Sequence, residues 1–199
     1  MVRSGDTFDW SGGHPALDFV NTLDERPSDA PIETLVSYDD LVRFTELAGI
    51  IEVSVAKALR SRLVPNGARV VLRARKLRER LFAVLSAYRM GMAADRRTLE
   101  AIAEDVRRAH AARTITAPGL SGMVTYSWMA ADAADVPLHA CALAVEALLV
   151  SSDPERIRKC GAQDCDVYFI DTSKAHRRQW CSMENCGNRE KQRRWRAGQ

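Results

Sequence analysis

The clearest periodicity in the chain runs through Val70, Ala74, Leu77, Leu81, Val84, Leu85 and Tyr88. Steps of three and four residues line these positions on one side of a helix. With Asn66 before the run and Gly91 after it, the pattern predicts a helix over 67–90. Its other side carries Arg73, Arg75, Lys76, Arg78, Glu79 and Arg80, which reads as a solvated outer face. Asp95 caps a second amphipathic stretch to residue 111, with Leu99, Ile102, Val106 and Ala109 inward, so the two should pack as a helical hairpin. Upstream, Ser37 with Asp40 three residues on starts a helix over 38–48, and a further helix over 52–64 stops at Pro65.

The period then changes. Residues 114–117 and 123–128 are β-branched and aromatic around a turn at Pro118–Gly119, which predicts a β-hairpin. Leu138, Cys141, Ala142, Val145, Leu148 and Leu149 return to helical spacing over 138–150, and Ser151–Pro154 is the natural boundary. Leu17–Leu23 is a short apolar run, extended or a single helical turn, and 24–36 reads as a loop. The fold class expected is α+β: a mainly helical domain over 1–152 with a small hairpin, followed by a distinct module over 153–199.

Composition changes this picture only near the end. The chain has 199 residues, is 46% hydrophobic and carries a net charge of +3; it has ample apolar material for a core. From residue 155 onward eleven Lys or Arg face six Asp or Glu, a local net of +5 that leaves −2 for the rest. The first ten residues lack the apolar core of a secretory signal, and no uninterrupted apolar span approaches 18 residues. A cytoplasmic protein with no membrane partner is therefore expected.

Four cysteines sit in that basic end as Cys160-x4-Cys165 and Cys181-x4-Cys186, fifteen residues apart. Such pairs close a tetrahedral thiolate site for one structural Zn2+, form two local disulfides, or are unrelated buried thiols. A reducing cytoplasm favours the metal. Gly161 suits a tight ligand turn, 166–170 reads as a strand, and 187–196 as a basic terminal helix. A ligand turn, a hairpin and a second ligand pair at a helix start make up a treble-clef-like zinc finger. About forty residues fold poorly on apolar burial alone, so the metal would hold the module together.

Asp171-x-Ser173, Arg178-x-Trp180-Cys181-Ser182-Met183 and Cys186-Gly187-Asn188-Arg189 resemble the CGNR zinc-finger family of bacterial proteins. Gly13-His14-Pro15-Ala16-Leu17-Asp18-Phe19-Val20-Asn21-Thr22 resembles the ABATE domain that accompanies that finger. The resemblance implies zinc, and suggests a transcription regulator that contacts DNA. Arg177, Arg178, Arg189, Lys191, Arg193, Arg194 and Arg196 are the candidate nucleic-acid-binding residues, with about three to five reaching phosphates at once. Sequence-specific reading would call for a homodimer.

A rival reading, from a different class, puts a small-molecule effector or an enzyme's substrate in a pocket of the first 150 residues, with the finger as a structural or protein-docking cap. His14, Asp18 and Asn21 are the candidate pocket residues. The chain contains no P-loop, HExxH, G-x-S-x-G or helix-opening GxGxxG. No catalytic residue is assigned, and a non-enzyme is expected.

Overall fold

The computed structural model describes residues 8–61, 63–117, 124–150 and 154–198. The turn predicted at Pro118–Gly119 and most of the boundary predicted at Ser151–Pro154 lie outside them. The chain forms two compact units: Leu35–Ala147, and the residues up to Thr34 together with those from Leu148 on. The fold is α+β, as expected.

In the Leu35–Ala147 unit, α2 (Tyr38–Leu47) begins at Ser37 in a capping box with Asp40, and α3 (Val53–Arg60) follows. The long helix α4 (Gly67–Arg89) packs on α5 (Arg96–Ala111), which Asp95 caps through the Thr98 N–H. Strands β3 (Arg113–Thr116) and β4 (Thr125–Trp128) form the predicted hairpin, and α6 (Val136–Leu149) closes the unit, its last residues crossing into the other. Leu77, Leu81, Leu138, Cys141 and Val145 are fully buried. Burial also pushes the Cys141 thiol far above its ordinary range, so it packs as a small apolar group.

The charged face of α4 is only in part the solvated stripe its sequence suggests: Lys76 and Glu79 are exposed, but the arginines are engaged. Arg75 donates from Nε and Nη2 to the Leu35 carbonyl at 2.9 and 2.6 Å, Arg73 pairs with Asp135 at 2.8 Å, and Arg80 pairs with Asp105 at 2.8 Å. Arg78 is buried and donates to Glu79. A helix covered by neighbours on more than one side leaves only part of its second face in water. Its arginines therefore act as internal fasteners, and Asp105 is itself buried.

In the other unit, Leu17–Val20 resolves into α1 (Pro15–Val20), with Pro at its first position and His14 as its N-cap. The segment read as a loop contains a small antiparallel pair, β1 (Leu23–Asp24) and β2 (Ile32–Glu33), and the Thr34 N–H and hydroxyl both donate to the Thr22 carbonyl. After a single 3-10 turn come β5 (Ile157–Lys159) and β6 (Tyr168–Ile170), paired antiparallel with Arg158 opposite Phe169. The hairpin thus encloses the first cysteine pair, whereas the sequence placed it after that pair. A π-helical turn, Met183–Gly187, leads into α7 (Asn188–Ala197).

Candidate metal centre and basic helix

The sulfur atoms of Cys160, Cys165, Cys181 and Cys186 all lie within 4.8 Å of one another. Cys181 Sγ is 3.5 Å from Cys186 Sγ and 3.9 Å from Cys165 Sγ. Tetrahedral Zn–S bonds of about 2.3 Å would set sulfurs about 3.8 Å apart, and a disulfide would bring them to about 2.05 Å. All are free thiols, which removes the disulfide alternative. Three are buried and Cys165 is half-buried.

Local structure explains the convergence. The Cys160 N–H donates to the Val167 carbonyl at 2.8 Å, pinning the first ligand turn across the β5–β6 hairpin. The Gly161 N–H donates to the Gln179 carbonyl at 2.9 Å, which brings the segment before Cys181 alongside. A side chain at Gly161 would press on that carbonyl and on Trp180, and one at Gly187 would meet Met183 Sδ at 2.8 Å. The small core holds Cys160, Ala162, Val167, Phe169, Cys181 and Cys186, with Trp180 over it.

Four thiols this close share protons when no cation separates them. Cys160 is pulled far below the ordinary thiol range by hydrogen bonds from Cys165, Cys181 and Cys186, while Cys165 and Cys181 are pushed far above it, chiefly by Cys160. All four would hold a bound zinc as thiolates, which would remove that competition. The donor set fits one structural zinc and leaves no fifth ligand position for chemistry. The Cys181 N–H lies 3.5 Å from Cys160 Sγ and Arg189 Nη2 donates to Cys186 Sγ at 3.2 Å, so both offset thiolate charge.

The seven basic residues divide into two groups. Arg178 is spent inside the module: it donates from Nε to the Trp180 carbonyl at 2.9 Å and from Nη2 to the Cys181 carbonyl, and its guanidinium lies 4.4 Å from the Phe169 ring centroid. Arg189 and Arg193 share Asp164, at 3.0 and 3.4 Å, and Arg193 also pairs with buried Glu190. Arg177, Lys191, Arg194 and Arg196 are exposed and hold no ion pair among the described residues. Trp195 joins them at 68% exposure. Asp164 and Glu190, which decide how α7 is seated, escaped the sequence reading because nothing in their spacing marks them as partners of arginines.

His14, Asp18 and Asn21 do fall along α1, and each has a partner within the chain. His14 Nδ1 accepts from the Ala16 N–H at 3.2 Å, and burial lowers its pKa. Asp18 Oδ1 accepts from the Gly12 N–H at 2.8 Å; burial pushes its carboxyl up to about 6 against the pull of that bond, with Asp9 adding to the rise. Asn21 donates from Nδ2 to the Tyr168 carbonyl at 2.9 Å and accepts the Tyr168 N–H at 3.0 Å. It thereby fills a free backbone edge of β6 as a neighbouring strand would. The Gly12 carbonyl accepts the Ile170 N–H at 2.8 Å, continuing the same edge. Asp171, buried at the end of β6, accepts the Ser173 and Arg178 N–H groups at 2.9 and 2.8 Å, and hydrogen bonding led by Ser173 holds its carboxyl at about 2.

Sequence comparison agrees with this construction. The model of the CGNR zinc finger matches residues 156–199. The ABATE model, described as "Putative stress-induced transcription regulator", matches residues 13–152. No curated protein matches the chain. No helix of the described residues is long and apolar enough to cross a membrane. The match over 13–152, together with a four-cysteine zinc centre built by the last 44 residues, places this chain in the ABATE family with a C-terminal CGNR zinc finger.

Proposed function

We propose that the protein is a DNA-binding transcription regulator of the cytoplasm whose structural zinc seats α7 so that its outer face meets the duplex. The observation that carries this reading is the division of labour within α7. Glu190, Arg189 and Arg193 engage the module, while Lys191, Arg194 and Arg196 remain exposed beside Trp195. Arg177, from the loop before Trp180, adds a further exposed cation. Three or four phosphate contacts suffice for salt-sensitive binding. Trp195 offers a flat apolar surface to a base or sugar. One short helix reads few base edges, so sequence selection calls for a second copy on adjacent half-sites. The family's description names regulators, which supports this over an enzyme.

Fluorescence anisotropy of the zinc-loaded protein on a labelled duplex tests the reading. Binding should weaken as salt rises, and Lys191→Ala with Arg194→Ala should lower the slope of log K against log salt by about 1.8. Arg178→Ala should instead weaken zinc retention. A duplex left unbound at low salt, or a slope indifferent to the double substitution, would overturn the assignment to α7.

A further inference from the structure

A second candidate site lies wholly within the Leu35–Ala147 unit. In the β3–β4 register Arg113 faces Trp128 and Ile115 faces Tyr126. Residues directly opposite on antiparallel strands share a side of the sheet, and alternate residues do too. One side of the hairpin is therefore Arg113, Ile115, Tyr126 and Trp128, and the other is Thr114, Thr116, Thr125 and Ser127. The apolar side is uncovered where it is largest: Ile115 is 62% and Tyr126 58% exposed.

Arg113, Tyr126 and Trp128 form one wall of a cleft of about 790 Å³, and the start of α3 and one side of α6 form the others. That volume is in the range of about 300–1,000 Å³ usual for small-molecule sites. Its apolar lining includes Ile50, Val53, Leu143 and Trp128. The Arg113 guanidinium lies 3.9 Å from the Tyr126 ring centroid and 6.0 Å from that of Trp128. It is half-buried and has no carboxylate partner among the described residues. Stacking occupies the face of a guanidinium and leaves its N–H edge free to take a carboxylate by two parallel bonds. Of the two acids lining the cleft, Glu46 is already neutralised by Arg60 at 2.6 Å, and exposed Glu52 accepts the Ser54 hydroxyl at 3.3 Å.

We propose that this cleft binds a small amphipathic carboxylate, with its apolar body against Ile50, Val53, Leu143 and Trp128 and its carboxylate on Arg113. Charge complementarity selects this occupant. A neutral apolar molecule would leave the guanidinium without a counter-charge, and a cation would be repelled by it.

Calorimetric titration of the zinc-loaded full chain with octanoate, and with octan-1-ol as the uncharged analogue, tests the proposal. Octanoate should bind one per chain, and more tightly than the alcohol. Arg113→Gln should weaken octanoate by about tenfold or more and leave the alcohol unchanged, with Arg113→Lys in between. Leu143→Glu should weaken both. Each variant is checked for native circular dichroism, and the Lys variant retains the charge if the Gln variant proves unstable. Absence of octanoate binding at millimolar concentration, or equal affinity for acid and alcohol in the native chain, would overturn the proposal. So would a concentration-dependent dimer that leaves no free site for octanoate.

Discussion

The two compact units solve the problem of stability in opposite ways. Leu35–Ala147 spreads its cohesion over many buried apolar side chains along α2 to α6, so that no single contact decides whether it folds. The other unit buries Leu17, Phe19 and Val20 on α1, but its zinc module concentrates cohesion in four sulfurs, a few aromatics and a handful of polar clamps. Its zinc module has too little apolar surface to order forty residues, and the metal must supply the difference. A small module held at a few points also fixes the direction of its outgoing helix.

The largest effect that tests this contrast is removal of the metal. Chelation, or Cys181→Ser, should abolish hydrogen-exchange protection of 156–198, since zinc contributes about 10–16 kcal/mol in comparable modules. Protection of 35–147 should survive. Loss of both together would show that the two units do not separate as sharply as their contacts imply.

A smaller effect probes the clamp. Asn21→Ala leaves the Tyr168 N–H and carbonyl without their partners, at a cost of about 1–3 kcal/mol for each buried group. Thermal denaturation should show the loss, and a competing chelator should strip zinc from the variant faster than from the native chain. An unchanged rate of zinc loss would mean that α1 rests on the module without stiffening it.

The smallest expected effect is a pH dependence. The Asp18 carboxyl, raised to about 6 by burial, keeps its proton in the folded chain across a window, roughly pH 4 to 6, in which the unfolded chain has released it. Folding therefore loses stability from this group as pH rises through that window, and the deficit is constant above it. Asp18→Asn keeps an acceptor for the Gly12 N–H without the charge. Its melting temperature relative to the native chain should rise between about pH 4 and 6 and then level off. A gap that does not vary with pH would remove Asp18 from the account, whereas acid-linked zinc loss affects both proteins alike and cancels in the difference.

Helices α2, α4, α5 and α6, the β3–β4 hairpin and the zinc ligands were all legible in the residue pattern. Each rests on information carried within a few positions: helical periodicity, caps at Ser37 and Asp95, β-branched runs, and cysteine pairs at matching spacing. Strand β5 and the β1–β2 pair were not. Strands of two or three residues have too little alternation to stand out, and only their pairing makes them strands.

By itself, then, the sequence determined the chemistry of the metal centre and the identity of the long elements. Only the tertiary structure decided what the remaining polar side chains do. It set Asn21 against Tyr168, 147 positions away. It turned Arg178, Arg189 and Arg193 into the module and left Lys191, Arg194 and Arg196 outside. It also left Arg113 on an aromatic shelf facing an apolar cleft. The physical reason is one of range. Periodicity and spacing report the forces between near neighbours in the chain. The partner of a buried backbone group or a half-buried cation is set by whichever distant segment packing brings within about 3 Å.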